Sequence, residues 1–167
     1  MIACVDTHYT DDASRTAVLL FERWADEGAL DENVFEQQHE AAEYVSGQFF
    51  LRELPCILNA IRSFQNDIVT IVVDGYVQLG EERAGLGQKL FEALDEKIAV
   101  IGVAKNEFRG ADNSRQVFRG KSARPLFITA AGISLDDAAR SIENMHGSHR
   151  IPALLKRADF LSRHGLA

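Results

Sequence analysis

Several stretches of hydrophobic residues have the length and composition of β-strands. Residues 2–6, 68–74 and 98–103 are nearly unbroken apolar runs, which is typical of strands covered on both faces. Residues 125–129 form another such run. Residues 15–24 are rich in β-branched and aromatic side chains after a polar turn, which predicts the second strand of a hairpin.

Four further stretches are predicted to be helices: residues 52–64, 83–95, 134–145 and 152–163. In the first of them the hydrophobic side chains recur at helical spacing. Pro55 falls where a proline of the first helical turn is expected.

Three local patterns add detail to this order of elements. Ser134 precedes the third helix and Asp137 stands three residues later, which predicts a capped N-terminus. Residues 34–43 fit either a third strand or a helix, toward which their propensity leans. Residues 106–123 are polar and basic, and we expect them to form a hairpin arm.

The order of these elements predicts an α/β fold. An antiparallel hairpin that leads into a parallel βαβαβ unit makes a mixed sheet with helices on both faces. This is the order that a ribonuclease H-like fold requires, although several other α/β folds fit the pattern nearly as well. No repeat or linker divides the chain, so we expect one domain over residues 1–167.

Composition is that of a globular protein rather than a disordered chain. Of the 167 residues 46% are hydrophobic and 26% are charged. No apolar run approaches the roughly 18 residues that span a bilayer, and no basic segment precedes the first strand. Cys4 and Cys56 both lie in apolar runs and are expected to be buried thiols. These features predict a cytoplasmic protein that is not associated with a membrane.

Charge is distributed unevenly along the chain. The net charge is −7, which argues against a nucleic-acid partner, but the average hides an asymmetry. Residues 1–104 carry 7 basic and 19 acidic side chains, whereas residues 105–167 carry 11 basic and 6 acidic ones. Such asymmetry is either a hint of a polyanion partner or simply two solvated faces.

Three acidic residues stand where a site is expected in such a fold. Asp6 and Asp74 each end a predicted buried strand, and Glu53 opens the first long helix. If the first and fourth strands are neighbours, their carboxyl ends bring Asp6 and Asp74 together. Clustered carboxylates need a cation or a proton to neutralise them, and their oxygens suit Mg²⁺ or Mn²⁺. Each acid taken alone also fits a turn or a helix start.

Other motifs are weaker. Gly85 and Gly87 lack the third glycine of a dinucleotide-binding loop. His146 and His149 have no cysteine or carboxylate partners at zinc spacing, although with Arg150 they could contact phosphate. No nucleophile elbow is found, so covalent catalysis is not expected.

Seven blocks of sequence resemble the endonuclease V family, nucleases that cut nucleic acid beside inosine or deoxyinosine. The blocks are IACVD at 2–6, YVSGQFFLRE at 44–53, VVDG at 72–75, RAGLG at 83–87, IGVAK at 101–105, ISL at 133–135 and RIP at 150–152. Their order covers essentially the whole chain, although family members usually begin with an additional helix. The resemblance implies a ribonuclease H-like fold.

The resemblance also implies the chemistry. Asp6, Glu53 and Asp74 would hold a catalytic Mg²⁺, for which Mn²⁺ would substitute. Lys105 would lie beside the scissile phosphate as a point charge. The bond hydrolysed would lie on the 3′ side of the lesion, one nucleotide further along. The implied partner is DNA or RNA, with no obligate protein partner.

Four residues are assigned to substrate binding by the same resemblance. Tyr44 would belong to the wedge that fills the gap left by the displaced base. Gly47 and Gly75 would line the hypoxanthine pocket, because a flipped base requires close approach of the backbone. Tyr76 follows Gly75 in the same block.

The chain departs from the family where the base is recognised. The family wedge Pro-Tyr-Ile-Pro is Glu43-Tyr44-Val45-Ser46 here. Val77 stands where the pocket has a glycine, and Gly80 where a histidine is usual. The histidine expected before the ISL block is also missing, since residues 129–132 form a shorter loop. These departures leave open relaxed base selectivity, or a nucleic-acid-binding protein that has lost the reaction.

Overall fold

The fold is built on one mixed β-sheet of seven strands. The computed structural model describes residues 1–38, 49–81 and 83–166. The strands are β1 (Ile2–Tyr9), β2 (Ala13–Phe21), β3 (Asp31–Gln38), β4 (Thr70–Asp74), β5 (Ala99–Ala104), β6 (Arg115–Val117) and β7 (Leu126–Ala131). The helices are α1 (Phe49–Ile61), α2 (Leu86–Ala93), α3 (Leu135–Glu143) and α4 (Ala153–His164). The sheet order is β3-β2-β1-β4-β5-β7-β6.

The centre of the sheet is parallel, and both of its flanks are antiparallel. β4 lies between β1 and β5 and runs parallel to both, whereas β2, β3, β7 and β6 pair antiparallel with their neighbours. The first and fourth strands are therefore neighbours, which is the condition under which Asp6 and Asp74 come together. β1 pairs with β4 only as far as Val5, opposite Val73. It then continues to Tyr9 beside β2, so the prediction that Asp6 ends its strand is wrong: the hairpin pairing with β2 extends the strand past Asp6.

Two layers of helices cover the two faces of the sheet. α1 and α2 pack on one face, and the core between them and the sheet includes Ile57, Ile71 and Leu90. α3 and α4 cover the other face, where Leu19 and Leu161 are fully buried. This arrangement confirms the predicted mixed sheet with helices on both faces. None of the helices in the described ranges is long and apolar enough to cross a membrane.

Two of the local predictions change in the structure. The ambiguous segment 34–43 is strand as far as Gln38, because β3 pairs with β2 along its whole length. Its remaining residues lie outside the described ranges. Pro55 is inside α1 rather than in its first turn, because that helix already runs from Phe49. An interior proline costs a helix roughly 3 kcal/mol, and the buried face of α1, with Ile57 and Ile61, offsets that cost.

Residues 106–123 do not form two strands that pair with each other. Their strand within the described residues is β6, which pairs antiparallel with β7 at the edge of the sheet. The predicted hairpin arm is therefore one strand and its connections. By contrast, the predicted cap of α3 is confirmed, since the Asp137 amide donates to Ser134 Oγ at 3.1 Å.

Gly102 allows the chain that follows β4 to lie directly on β5. A Cβ atom at this position would lie 2.5 Å from the Gly75 carbonyl oxygen and 2.8 Å from the Val77 nitrogen. Contacts that short do not occur, so any side chain here would displace residues 75–77. The glycine of the IGVAK block is thus explained by packing.

Arg119 is a buried cation that organises the loop before α4. Its side chain is only 6% exposed. The guanidinium donates to the carbonyl oxygens of Gly147 at 3.1 Å and His149 at 3.0 Å, and also to that of Met145. Because buried carbonyl groups need donors, this side chain determines the path of residues 145–150.

We predict that Arg119→Ala lowers the free energy of unfolding by about 2–4 kcal/mol, because several carbonyl oxygens lose their buried donor. Urea denaturation followed by circular dichroism measures this change. Arg115→Ala is the matched control, since Arg115 forms an exposed ion pair with Asp136. Surface pairs contribute about 0–1 kcal/mol. Equal midpoints for the two variants would contradict a structural role for Arg119.

Candidate active site

Asp6 and Asp74 lie where the parallel pairing of β1 with β4 ends. Asp74 is the last residue of β4, and Asp6 follows Val5, whose partner across the pair is Val73. Because the parallel pairing brings the two groups together, the charge of Asp74 raises the pKa of Asp6. The prediction that strand order gathers these two acids is confirmed by the sheet.

Burial makes Asp6 harder to ionise than an exposed aspartate. Its pKa is raised by desolvation, opposed by a hydrogen bond from Ser162 Oγ, and raised further by the charges of Asp74 and Asp159. Ser162 itself is completely buried. The site therefore holds a desolvated carboxylate that is already tied to a hydroxyl on α4.

Glu53 brings a third carboxylate from α1. Burial raises its pKa to about 8, and the charges of Asp6 and then Asp74 add to the effect. At neutral pH and without a bound cation this carboxyl group is therefore protonated. The helix that positions it packs its apolar side on the sheet, so Glu53 faces the same edge as the two aspartates.

Lys105 follows β5 and forms an ion pair within the site. Its Nζ atom lies 2.8 Å from Asp74 Oδ2. Desolvation acts to lower the pKa of Lys105, but the hydrogen bond and charge of Asp74 outweigh it, so the pKa is raised. The structure therefore brings together all four residues that the sequence assigned to catalysis.

The chemistry of this donor set fits a hard divalent cation. Three carboxylates meet one ammonium group, and their mutual repulsion is what a bound dication would relieve. Among residues 1–38, 49–81 and 83–166, however, no three histidine, cysteine or acidic side chains are close enough to ligate one ion as they stand. Asp74 is held by Lys105 and Asp6 by Ser162, so shared ligation requires these side chains to turn.

Two residues of α4 were missed by the sequence analysis. Asp159 influences the ionisation of both Asp6 and Lys105, and Ser162 donates to Asp6. They are three positions apart, so they lie on one face of the helix. The one indication in the sequence was the polar residue Ser162, which stands next to Leu161 on the apolar side of the predicted helix and so could face the protein interior. Nothing local indicated that this helix crosses β1.

Two cavities meet at the acidic residues. The larger has a volume of about 720 Å³ and the smaller about 620 Å³. Both are lined by Asp6, Asp74 and Asp159. Glu53 borders only the smaller cavity, whereas Lys105 borders only the larger one. The acids therefore stand between two recesses, one beside α1 and α2 and the other beside α4.

Gly75 and Tyr76 line the smaller cavity, as their assignment to substrate binding requires. Gly75 has a φ of 124°, a conformation that favours glycine. The Tyr76 hydroxyl donates to the Asn106 carbonyl at 2.7 Å and accepts from the Phe108 amide at 2.9 Å. The ring is therefore held by the chain that follows β5.

Val77 lies in the core rather than in the walls of the two cavities. Its side chain is fully buried in the core beneath α2, and it does not border either cavity. The reason is that its amide donates to Thr129 Oγ1 at 2.8 Å, which turns this residue toward the sheet. Thr129 in turn belongs to β7, which extends to Ala131, so residues 129–131 are strand and not loop.

The remaining predicted residues divide into two groups. Tyr44 and Gly47 lie outside the described residues. His149 borders the larger cavity together with Arg150. Arg150, however, donates to the carbonyl oxygens of Pro125 at 2.7 Å and of Lys105, so much of its hydrogen-bonding capacity is used within the fold.

Comparison with known proteins points to one family. The sequence model of the family Endonuclease V matches residues 1–123. Endonuclease V of Roseiflexus sp. (strain RS-1) is 26% identical over 184 residues, which cover 98% of this chain and 81% of that protein. Endonuclease V of Sulfolobus acidocaldarius is 36% identical over 67 residues, covering 40% of this chain and 32% of that protein.

Solved structures agree on the fold. Endonuclease V of Ciona intestinalis, in complex with a 24mer DNA containing an inosine followed by a ribo-adenosine, superposes with a TM-score of 0.78 at 16% identity. The match covers 97% of this chain and 84% of that one. The Bacillus subtilis Endonuclease V gives a TM-score of 0.76 at 17% identity, with 97% and 78% covered. The ribonuclease H-like fold is thereby confirmed.

We predict that Glu53→Gln changes the free energy of unfolding of the metal-free protein more favourably at pH 8 than at pH 5. The difference between the two changes should be about 2–4 kcal/mol. The folded protein keeps the Glu53 proton up to a pKa of about 8, whereas an unfolded glutamate loses it near its ordinary value of 4.5. Stability of the wild-type protein therefore falls as pH rises between these values, and the amide removes that loss. Urea midpoints at both pH values, in a chelator, measure the difference.

The control for this prediction is Glu143→Gln, an exposed glutamate at the end of α3. It should leave the pH dependence of stability unchanged. If both variants keep the wild-type pH dependence, Glu53 is not buried with a raised pKa as described above.

Proposed function

Because this chain belongs to the Endonuclease V family, we propose that it is a metal-dependent endonuclease that hydrolyses a phosphodiester on the 3′ side of inosine or deoxyinosine in DNA or RNA. The observation that carries the proposal is the group of Asp6, Glu53 and Asp74 at the junction of two cavities, with Lys105 beside them. Such a junction suits a phosphodiester, since the chain on each side of the phosphate has a recess to enter.

Asp6, Glu53 and Asp74 would hold the cation, with Mg²⁺ as the resident ion and Mn²⁺ as a substitute. When bound, the cation would polarise the phosphate, lower the pKa of water and stabilise the leaving oxygen. Ser162 would orient the Asp6 carboxylate. Lys105 would leave Asp74 for a phosphate oxygen, because its ammonium is a mobile point charge at the end of a flexible side chain.

The smaller cavity would receive the displaced hypoxanthine base. Gly75 leaves room for the base beside the backbone, and Tyr76 borders the same recess. Tyr44 would act as the wedge, and Gly47 would complete the pocket. Val77 points into the core and does not narrow this recess, which supports retained base selectivity more than the sequence alone did.

The setting proposed for this activity follows from the same features. Residues 1–167 would act as a single domain without an obligate protein partner. Cys4 and Cys56 are buried cysteines, which suits the reducing conditions of the cytoplasm. DNA repair is the process in which removal of deoxyinosine would be used.

We predict that Asp74→Asn lowers the rate of metal-dependent cleavage by at least about 100-fold, because it removes a ligand and its charge. The measurement uses end-labelled single-stranded DNA and RNA oligonucleotides, each with and without one inosine, in Mg²⁺ or Mn²⁺. Asp95→Asn is the matched control, because Asp95 is an exposed aspartate that pairs with Lys97. It should cut at the wild-type rate.

The pattern of cutting distinguishes the forms of the proposal. Inosine-dependent cutting that Asp74→Asn loses supports it in full. Cutting that ignores inosine would make the protein a nuclease of relaxed selectivity. A normal rate in Asp74→Asn would contradict the assignment of the site.

A catalytically inactive nucleic-acid-binding protein is the second candidate. One observation favours it: in the described part of the chain the acids are not close enough for three of them to ligate one ion as they stand. This second candidate function predicts that pure, folded protein cuts none of the oligonucleotides.

Isothermal titration with Mn²⁺ separates the two candidates. We predict binding by the wild-type protein and at least about tenfold weaker binding by Asp6→Asn, because a carboxylate ligand is replaced by an amide. The Asp95→Asn protein again serves as the control and should bind like wild type. Absence of binding by the wild-type protein would favour the inactive candidate.

A further inference from the structure

The larger cavity is not the recess to which the proposed function assigns the flipped base. It lies on the α4 side of the acids, whereas Gly75 and Tyr76 line the smaller cavity on the other side. Its volume of about 720 Å³ exceeds that of the smaller cavity. A recess of this size next to the proposed reaction centre calls for an occupant of its own.

The lining of the larger cavity combines apolar walls with a basic rim. Val103, Ile151, Leu155 and Ala158 contribute apolar surface. Lys121 and Lys156 also line it, and both are solvent-exposed. Apolar walls suit the face of a nucleobase, and exposed lysines suit the phosphates on either side of it.

The wall beside α4 is held in place by buried hydrogen bonds. Arg119 binds the carbonyl oxygens of Gly147 and His149, and Arg150 binds those of Pro125 and Lys105. Ser148 to Ile151 therefore form a fixed side of the cavity. A preformed recess binds its ligand without the entropic cost of ordering a loop.

The direction of the substrate chain follows from the proposed function, on which this inference rests. If inosine occupies the smaller cavity and the cut lies one nucleotide further in the 3′ direction, the scissile phosphate is at Asp6 and Asp74. The chain then continues past the acids to the α4 side. The larger cavity is the recess that the next nucleotide meets there.

We propose that the larger cavity binds the nucleotide on the 3′ side of the cut, with its base between Leu155 and Val103 and its phosphates at Lys121 and Lys156. Base stacking on side chains is tolerant of sequence, so any base is accepted at this position. The base must be unpaired to enter. The substrate class is therefore an inosine-containing strand that is single-stranded for at least two nucleotides after the inosine.

The test removes one base at a time from a single-stranded inosine oligonucleotide. An abasic nucleotide on the 3′ side of the cut should lower kcat/KM by about tenfold in the wild-type protein, because the stacking contact is lost. The control oligonucleotide has its abasic nucleotide six positions before the inosine and should be cut normally. Equal rates on both oligonucleotides would overturn the proposal.

A variant that fills the cavity should reproduce the same loss. Leu155→Trp should cut the intact oligonucleotide about tenfold more slowly, yet treat the intact and abasic oligonucleotides alike. Leu166→Trp is the matched control, since Leu166 is 58% exposed near the C-terminus. If urea denaturation shows that Leu155→Trp does not fold, Ile151→Trp is used in its place.

Photocrosslinking keeps this test independent of cleavage. An oligonucleotide with 5-iodouracil on the 3′ side of the expected cut is bound to the wild-type protein in a chelator and irradiated. Crosslinks in peptides covering residues 148–158 support the proposal, whereas crosslinks only to residues 75–86, or none, overturn it. Failure to cut any inosine substrate would contradict the proposed function, while the crosslink still reports where the nucleotide binds.

Discussion

Repulsion among desolvated carboxylates is the constraint around which this structure is arranged. Asp6 and Glu53 are both harder to ionise than usual because burial and neighbouring acids disfavour their charge. Lys105 and Ser162 each offset part of that cost by binding one carboxylate. A fold that keeps such a group together loses stability at that place. The carboxylate oxygens gathered there have the chemistry of ligands for a hard divalent cation.

The basic C-terminal part of the chain serves two different purposes. Arg119 and Arg150 are used within the fold, where they bind carbonyl oxygens of the loop before α4 and of the strand ends. Lys121 and Lys156 remain exposed around the larger cavity. The charge asymmetry therefore overstates the basic surface, because these two arginines donate hydrogen bonds to backbone carbonyl groups, which leaves them less available to phosphate.

The departures from the family pattern weigh less on the site than the sequence suggested. Val77 is buried in the core and does not border the smaller cavity, and the Thr129 hydroxyl accepts a hydrogen bond from the Val77 amide. The altered residues next to Gly75 are therefore matched to packing between β4, β5 and β7. Under the proposed function, selectivity for the base would depend on Gly75, Tyr76 and the wedge around Tyr44.

Sequence alone determined most of the strands, the capped helix at Ser134, the position of Asp74 at the end of β4, and the family. These depend on local periodicity, turn chemistry and short motifs, which neighbouring residues carry by themselves. Only the tertiary structure decided that α4 brings Asp159 and Ser162 to Asp6, that Val77 turns inward, and that two cavities meet at the acids. Each of these depends on contacts between residues far apart in the chain, such as the bond from Ser162 to Asp6, and no local pattern encodes which elements will cross.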